Sequence, residues 1–297
     1  MPDFLATMAA GSRRRARSAR SRTPERELRA RIRDLPDPPP LPTSPVGFDL
    51  ITEVKRRSPS VGELDGAAVV ERARAYAEAG AAAISVLTEP EAFGGSLEDL
   101  QAISRAVSDT TGAIPTMRKD FLTDTYQLLE ARVAGAGGVL LVLRILSDEE
   151  LDEMLCAAGE SGLFLLLEAF DAEEIVRAGA AAARAADRGV EALVGLNCRD
   201  LGTLEVDFAR LKELSVHFPT DLRRVAESGL ESAEHAARVA VSGYEFALVG
   251  TALMRQEDPV PLISKMLSAG RAARALSRIG RYDGRAGMDL SSAAEPG

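Results

Sequence analysis

Gly138-Val139-Leu140-Leu141-Val142-Leu143 is an apolar run, Ser147-Asp148-Glu149-Glu150 opens a charged helical stretch, Gly162 ends it, and Leu163-Phe164-Leu165-Leu166-Leu167-Glu168 is a second apolar run. A serine ahead of three acidic residues reads as a helix start. Its hydroxyl can accept a first-turn N–H, and the carboxylates sit at the positive end of the helix dipole. A glycine just past the last turn takes the left-handed conformation without strain. The unit therefore reads strand, helix, strand. Its second strand ends on a carboxylate, Glu168.

The same beat runs outward in both directions from residue 47. Strands are expected at 49–55, 82–87, 114–119, 138–143, 163–168, 192–197, 223–227 and 246–249. Helices fall between them around 67–79, 97–108, 125–134, 148–160, 172–186, 207–217 and 232–242, with a last one at 259–267. Ser96 and Asp171 repeat the cap signal, and Gly80 and Gly243 repeat the terminal glycine. Alternating strand–helix units of this number predict an α/β chain folded as a (β/α)8 TIM barrel with an N-terminal extension. A doubly wound open sheet is the alternative, and no GxGxxG follows the first strand to support it.

Residues 1–46 differ from the rest. Arg13-Arg14-Arg15, Arg17, Arg20 and Arg22 precede a proline-rich stretch from Pro36 to Pro45. This composition predicts a solvated, partly disordered arm with one short helix near residues 24–33. The catalytic barrel then spans 47–270. Residues 271–297, rich in Arg, Gly and Ser, read as a flexible tail.

Of the 297 residues, 46% are hydrophobic and only 4% aromatic, enough for a large core of closely packed helices on a sheet. A formal charge of −9 argues against nucleic acid or an anionic membrane as main partner. No apolar run approaches the roughly 20 residues of a membrane span. Cys156 and Cys198 lie far apart without metal-ligand spacing, which suits free thiols in a reducing, cytoplasmic setting. His217 and His235 fall in helical segments, against a His-dependent mechanism or a His/Cys metal site.

In a barrel, catalytic groups belong at the C-terminal ends of the strands. The first strand ends in Glu53-Val54-Lys55, and residues two apart on a strand share a face, so an acid and an ammonium lie together. Ser58-Pro59-Ser60 and Gly62 follow as a turn. Other strands end in Arg118-Lys119-Asp120-Phe121, Glu168, Asn197-Cys198-Arg199-Asp200, Glu227-Ser228-Gly229 and Gly250-Thr251. Any one of these alone is most simply a residue entering solvent. Their recurrence points to a site. Glu168, ending an apolar run, should be desolvated unless a cation pairs with it. The glycine turns after the last two strands suit a phosphate cup of backbone N–H groups, with ordinary turn glycines as the alternative.

These residues resemble the indole-3-glycerol-phosphate synthase family. TEVKRRSPSVG, LTEPEAFGGSLEDL, RKDF, GVLLVLRIL, LLLEAF, GLNCRDL, AESGL and LVGTALMRQEDP carry the resemblance, in order, from about Leu50 to about Pro259. It implies a carboxy-lyase of tryptophan biosynthesis, or of a paralogous secondary pathway. Such an enzyme closes the ring of 1-(2-carboxyphenylamino)-1-deoxyribulose 5-phosphate with loss of CO₂ and water, using no metal or organic cofactor. Contact with neighbouring tryptophan-pathway enzymes is part of that expectation.

By motif position, Lys119 resembles the general acid, Glu168 the general base for dehydration, and Lys55 the contact to the substrate carboxylate and a second proton donor. Glu53 and Asn197 resemble the residues holding the polar network. Ser58, Pro59, Ser60, Phe93, Phe121, Leu140, Arg199, Glu227 and Ser228 fall at substrate-binding positions, and Gly229, Gly250 and Thr251 at the phosphate site. The sequence departs from the family pattern at Val61, where Lys is usual, at Ala169-Phe170, where Val-His is commoner, and at Cys198, where Asn is usual. The residues alone leave open another phosphosugar barrel, a Schiff-base aldolase using Lys55 or Lys119, or a silent paralogue acting as a binding partner.

Overall fold

The computed structural model describes residues 4–58, 62–63, 66–108, 113–200, 203 and 205–280. Eight strands form the barrel: β1 Asp49–Val54, β2 Ala83–Leu87, β3 Thr116–Lys119, β4 Gly138–Val142, β5 Phe164–Ala169, β6 Ala192–Asn197, β7 Arg223–Glu227 and β8 Phe246–Val249. Each pairs in parallel with its successor, and β8 pairs back onto β1, with Asp49 opposite Phe246, to close the sheet. The expected barrel is present.

Period-two alternation along the strands divides the core in two. Ile51, Met117, Leu140, Leu166, Leu193, Val225 and Phe246 gather in one buried cluster inside the barrel. Their strand neighbours, among them Leu50, Val139, Leu165, Leu167, Val194 and Ala226, join a larger cluster under the helices with Ala73, Ile103, Leu155 and Ile175. Continuing the inward series upward from the apolar layer gives Glu53, Lys119, Glu168, Asn197 and Glu227. The alternation that fills the barrel thus also aims the polar groups.

The helices are α1 Phe4–Arg22, α2 Glu25–Arg33, α3 Gly66–Glu78, α4 Pro90–Phe93, α5 Leu97–Ser108, α6 Thr125–Val133, α7 Asp148–Ser161, α8 Ala172–Ala186, α9 Ala209–Glu213, α10 Ala233–Val241, α11 Thr251–Met254 and α12 Val260–Arg278. Ser147 and Glu150 form a reciprocal capping box on α7, Asp171 caps α8, and Ser96 accepts the Asp99 N–H at 3.0 Å. Gly80, Gly162 and Gly243 all have positive φ, as expected at helix ends. The helix expected at 207–217 is shorter: α9 gives way to a 3-10 turn, Leu214–His217. Pro219 explains this by forcing Phe218 into an extended conformation, which stops the helix.

Both termini are more structured than their composition predicts. Residues 4–33, expected as a largely solvated arm, form α1 and α2. Leu5, Met8, Ala9, Ser12 and Ala16 make a buried face on α1, and Leu28 on α2 packs against Tyr126 and Leu129 of α6. The proline-rich segment then runs to the opposite end of the barrel. Arg132 donates to the Pro36 carbonyl, Leu41 joins the interior cluster, and the Ser44 N–H donates to Asp49 Oδ2 at 2.7 Å. Residues 271–278, expected in the flexible tail, continue α12. Arg271 there binds Asp49 Oδ1 at 2.7 Å and the Phe48 carbonyl at 3.1 Å. Residues 281–297 lie outside the described residues.

Candidate active site

Lys119, the last residue of β3, points its ammonium between two carboxylates, 3.3 Å from Glu168 Oε1 and 3.4 Å from Glu227 Oε2. Both carboxylates are buried. Glu168 Oε1 also accepts from Asn197 Nδ2 at 2.9 Å. Asn197 is fixed in turn, because its Oδ1 accepts from Ser228 Oγ at 2.8 Å and from the Arg199 N–H at 3.0 Å. Four strand ends, β3, β5, β6 and β7, are thereby linked through one lysine and one amide.

Burial works against the Lys119 charge, but Glu168, Glu227 and Glu53 more than offset it, and the ammonium's pKa is raised. Lys119 is a cation at neutral pH. Glu227 is the opposite case. Burial pushes its carboxyl up to about 8, Lys119 pulls the other way, and adjacent Glu168 adds to the rise. Among the described residues, Glu227 Oε1 has no hydrogen-bond partner. The sequence alone gave no sign of this upward shift on Glu227.

The second pair is at the end of β1, with Glu53 in the strand and Lys55 just past it. Lys55 Nζ lies 2.8 Å from Glu53 Oε1 and 3.3 Å from Thr251 Oγ1, so the eighth strand end meets the first. Burial raises the Glu53 carboxyl, but Lys55 and Lys119 outweigh it and the pKa is lowered, leaving a carboxylate. Gly250 is required here, since a Cβ would sit 2.5 Å from Glu53 Oε1. A Cβ on Gly195 would likewise collide with Glu227 Oε1. The two glycines make room for two of the three carboxylates.

Beyond β7, Ser228 has φ +71° and Gly229 φ +72°; Ser228 is the one non-glycine with positive φ among the described residues. That strained turn aims the Ser228 hydroxyl at Asn197. Phe93 closes α4 and Phe121 follows β3, both half-buried, while Leu140 is buried inside the barrel. Arg199 bridges to Val206 beyond β6. The backbone of Ser58 pairs with Gly62 in a small hairpin after β1, and Pro59, Ser60 and Val61 lie outside the described residues.

The sequence profile of the indole-3-glycerol phosphate synthase family matches residues 7–266. The chain belongs to that family. The indole-3-glycerol phosphate synthase of Opitutus terrae is 38% identical over 270 residues, covering 89% of this chain and 98% of that protein. The enzyme of the same name from Nocardioides sp. is 42% identical over 269 residues, covering 88% and 97%. That from Micrococcus luteus is 44% identical over 234 residues, covering 78% and 80%. A solved 3-hexulose-6-phosphate synthase from Salmonella typhimurium, 14% identical, superposes with a TM-score of 0.56 over 76% of this chain and all 100% of its own, which shows the shared fold alone. The function that goes with membership is indole-3-glycerol phosphate synthase, a carboxy-lyase acting on a small phosphosugar–anthranilate compound. No helix among the described residues is long and apolar enough to cross a membrane.

Within this synthase fold, two of the three departures have a structural account. Ala169 is buried at the end of β5. Phe170 packs into the interior cluster under the Arg144 guanidinium, 5.0 Å from its ring centroid. Cys198 is buried, its thiol pushed up to about 11 by burial, and its Sγ donates to the Ser228 carbonyl at 3.5 Å. It therefore steadies the strained turn after β7. Glu89, Arg118, Asp120 and Arg15 form an ionic cluster just outside the barrel wall, a grouping that the sequence reading did not make although it named Arg118 and Asp120 at a strand end. Strand alternation offered a signal: with Lys119 pointing in, Arg118 must point out.

Proposed function

We propose that this synthase distributes its acid–base chemistry over the two lysines and Glu168. The observation that carries the reading is the Lys119 ammonium held between Glu168 and Glu227 at the barrel mouth. Lys119 protonates the ribulose carbonyl, making its carbon electrophilic toward the aryl ring. Ring closure is followed by loss of CO₂, which restores aromaticity. Glu168, oriented by Asn197, then removes the proton needed for dehydration, and Lys55 supplies a proton to the departing hydroxyl. Glu53 holds Lys55 in place.

Phe93, Phe121 and Leu140 wall the carboxyphenyl ring, while Arg199, Glu227, Ser228 and the Ser58–Pro59–Ser60 turn contact the rest of the substrate. Backbone N–H groups at Gly229, Gly250 and Thr251 receive the phosphate. In this reading residues 47–270 are the catalytic unit and residues 1–46 its cover. The free thiols support a cytoplasmic setting, and transient contact with neighbouring pathway enzymes, testable by cross-linking, would deliver the substrate.

The test is a fluorescence assay for indole-3-glycerol phosphate with purified chain and synthetic substrate. Lys119→Met should lower kcat by roughly 10³ or more while a non-reacting phosphate analogue still binds within about threefold. Turnover near wild type would remove Lys119 as the acid. Glu168→Gln should release CO₂ yet accumulate the ring-closed, undehydrated intermediate, and normal product formation would end its role as the base.

A further inference from the structure

Arg15 of α1 reaches two carboxylates at the ends of different strands. Its Nη2 lies 2.8 Å from Asp120 Oδ1 and its Nη1 3.4 Å from Glu89 Oε1. Each carboxylate already holds a backbone. Asp120 Oδ1 accepts the Phe121 N–H at 2.8 Å, and Oδ2 accepts from Thr88 Oγ1 at 3.0 Å and Arg118 Nη2 at 3.2 Å. Glu89 caps α4 by accepting the N–H groups of Glu91, Ala92 and Phe93. Asp120 therefore fixes Phe121 and Glu89 fixes Phe93. Arg15 joins the two.

The electrostatics make that junction consequential. Glu89 and Asp120 are 0% and 3% exposed, and Arg118, which pairs with Asp120, is also shared with Glu130 at 3.6 Å. Two buried carboxylates on neighbouring strand ends repel unless a cation serves both. A planar guanidinium can present two N–H groups at once, which a lysine ammonium on a flexible stem does poorly. The same helix also sets Phe4 edge-on against Phe121, with centroids 5.8 Å apart.

We propose that Arg15 is a positioning residue that sets the separation of Phe93 and Phe121, and hence the width of the slot for the substrate's carboxyphenyl ring. This rests on the reading that those rings bracket the aryl group. Arg15 itself touches no reacting atom.

The experiment compares two non-reacting probes, an N-(2-carboxyphenyl) 1-amino-1-deoxyribitol 5-phosphate and ribitol 5-phosphate, on wild type, Arg15→Met and Arg15→Lys, alongside KM and kcat. Arg15→Met should weaken the aryl probe and raise KM by about tenfold, with kcat and ribitol 5-phosphate affinity changed less than about threefold. Arg15→Lys should recover part of the loss. Equal weakening of both probes would show a general loosening of the mouth and overturn the proposal. So would no change in either. Should Arg15→Met fail to fold, Glu89→Gln keeps an acceptor for the α4 cap but loses the ion pair, and the same selective loss is expected of it. A wild type that does not favour the aryl probe over ribitol 5-phosphate would instead sink the reading of the aromatic walls.

Discussion

Three carboxylates and two lysines share the mouth of the barrel, and their protonation states differ because their surroundings differ. Glu53 faces Lys55 at 2.8 Å and stays ionised, while Glu227, buried beside Glu168 with one oxygen unpartnered among the described residues, is raised from 4.5 to about 8. The linkage sign follows. Folded protein keeps a proton on Glu227 that the unfolded chain releases above 4.5, so this contribution to stability is full below that pH and is lost as pH rises through about 8. Glu227→Gln removes the titration, so thermal melts from pH 5 to 9 should show the variant gaining on wild type as pH rises. A pH-independent difference in Tm would contradict the assignment. Which polar residues meet at the barrel mouth was legible from strand-end position: Glu53, Lys55, Lys119, Glu168, Asn197 and Glu227 all stand there. Which of them carries the extra proton was not. That depends on burial and on neighbours from other strands, as with Gly195, whose missing side chain admits Glu227.

At the scale of elements, α1 is the part whose composition misleads. Its arginines suggest a solvated arm, yet their partners lie far along the chain: Glu150 for Arg13, Glu89 and Asp120 for Arg15, and Asp124 for Arg20. The outer pairs are half-exposed and contribute about 0–1 kcal/mol each. The buried face of Leu5, Met8, Ala9 and Ala16 and the contacts of half-buried Arg15 to two buried carboxylates contribute more. Spacings of three and four residues mark that face as helical in retrospect, but a stripe so dominated by small residues gave it little weight against the charge run. Removing residues 1–33 should leave the barrel folded and raise KM by roughly tenfold or more, with kcat changed less, because the cover goes while the strand-end acids and bases remain. Steady-state kinetics of the truncated chain decide this, and an unchanged KM would make α1 and α2 passive.

For the molecule as a whole, stability rests on two concentric apolar layers, one inside the barrel and one under the helices. Leu166 is fully buried in the inner layer, two residues below Glu168 on the same face of β5. Leu166→Ala should cost about 2–5 kcal/mol, read as a lower denaturant midpoint. A cost under about 1 kcal/mol would show that the barrel interior collapses around the gap. The chain's own pattern determined the order of elements, the barrel and the inward-facing polar residues, because apolar periodicity, caps and terminal glycines are local signals, while the strand-end motifs carried the resemblance to the family. Only the tertiary structure decided that the N-terminal arm folds across the mouth with its strap plugging the far end, that α12 extends to Arg278, and that Glu227 carries the raised pKa. Each of these depends on charges and surfaces that meet only when segments distant in sequence are brought together, and no local pattern records such a meeting.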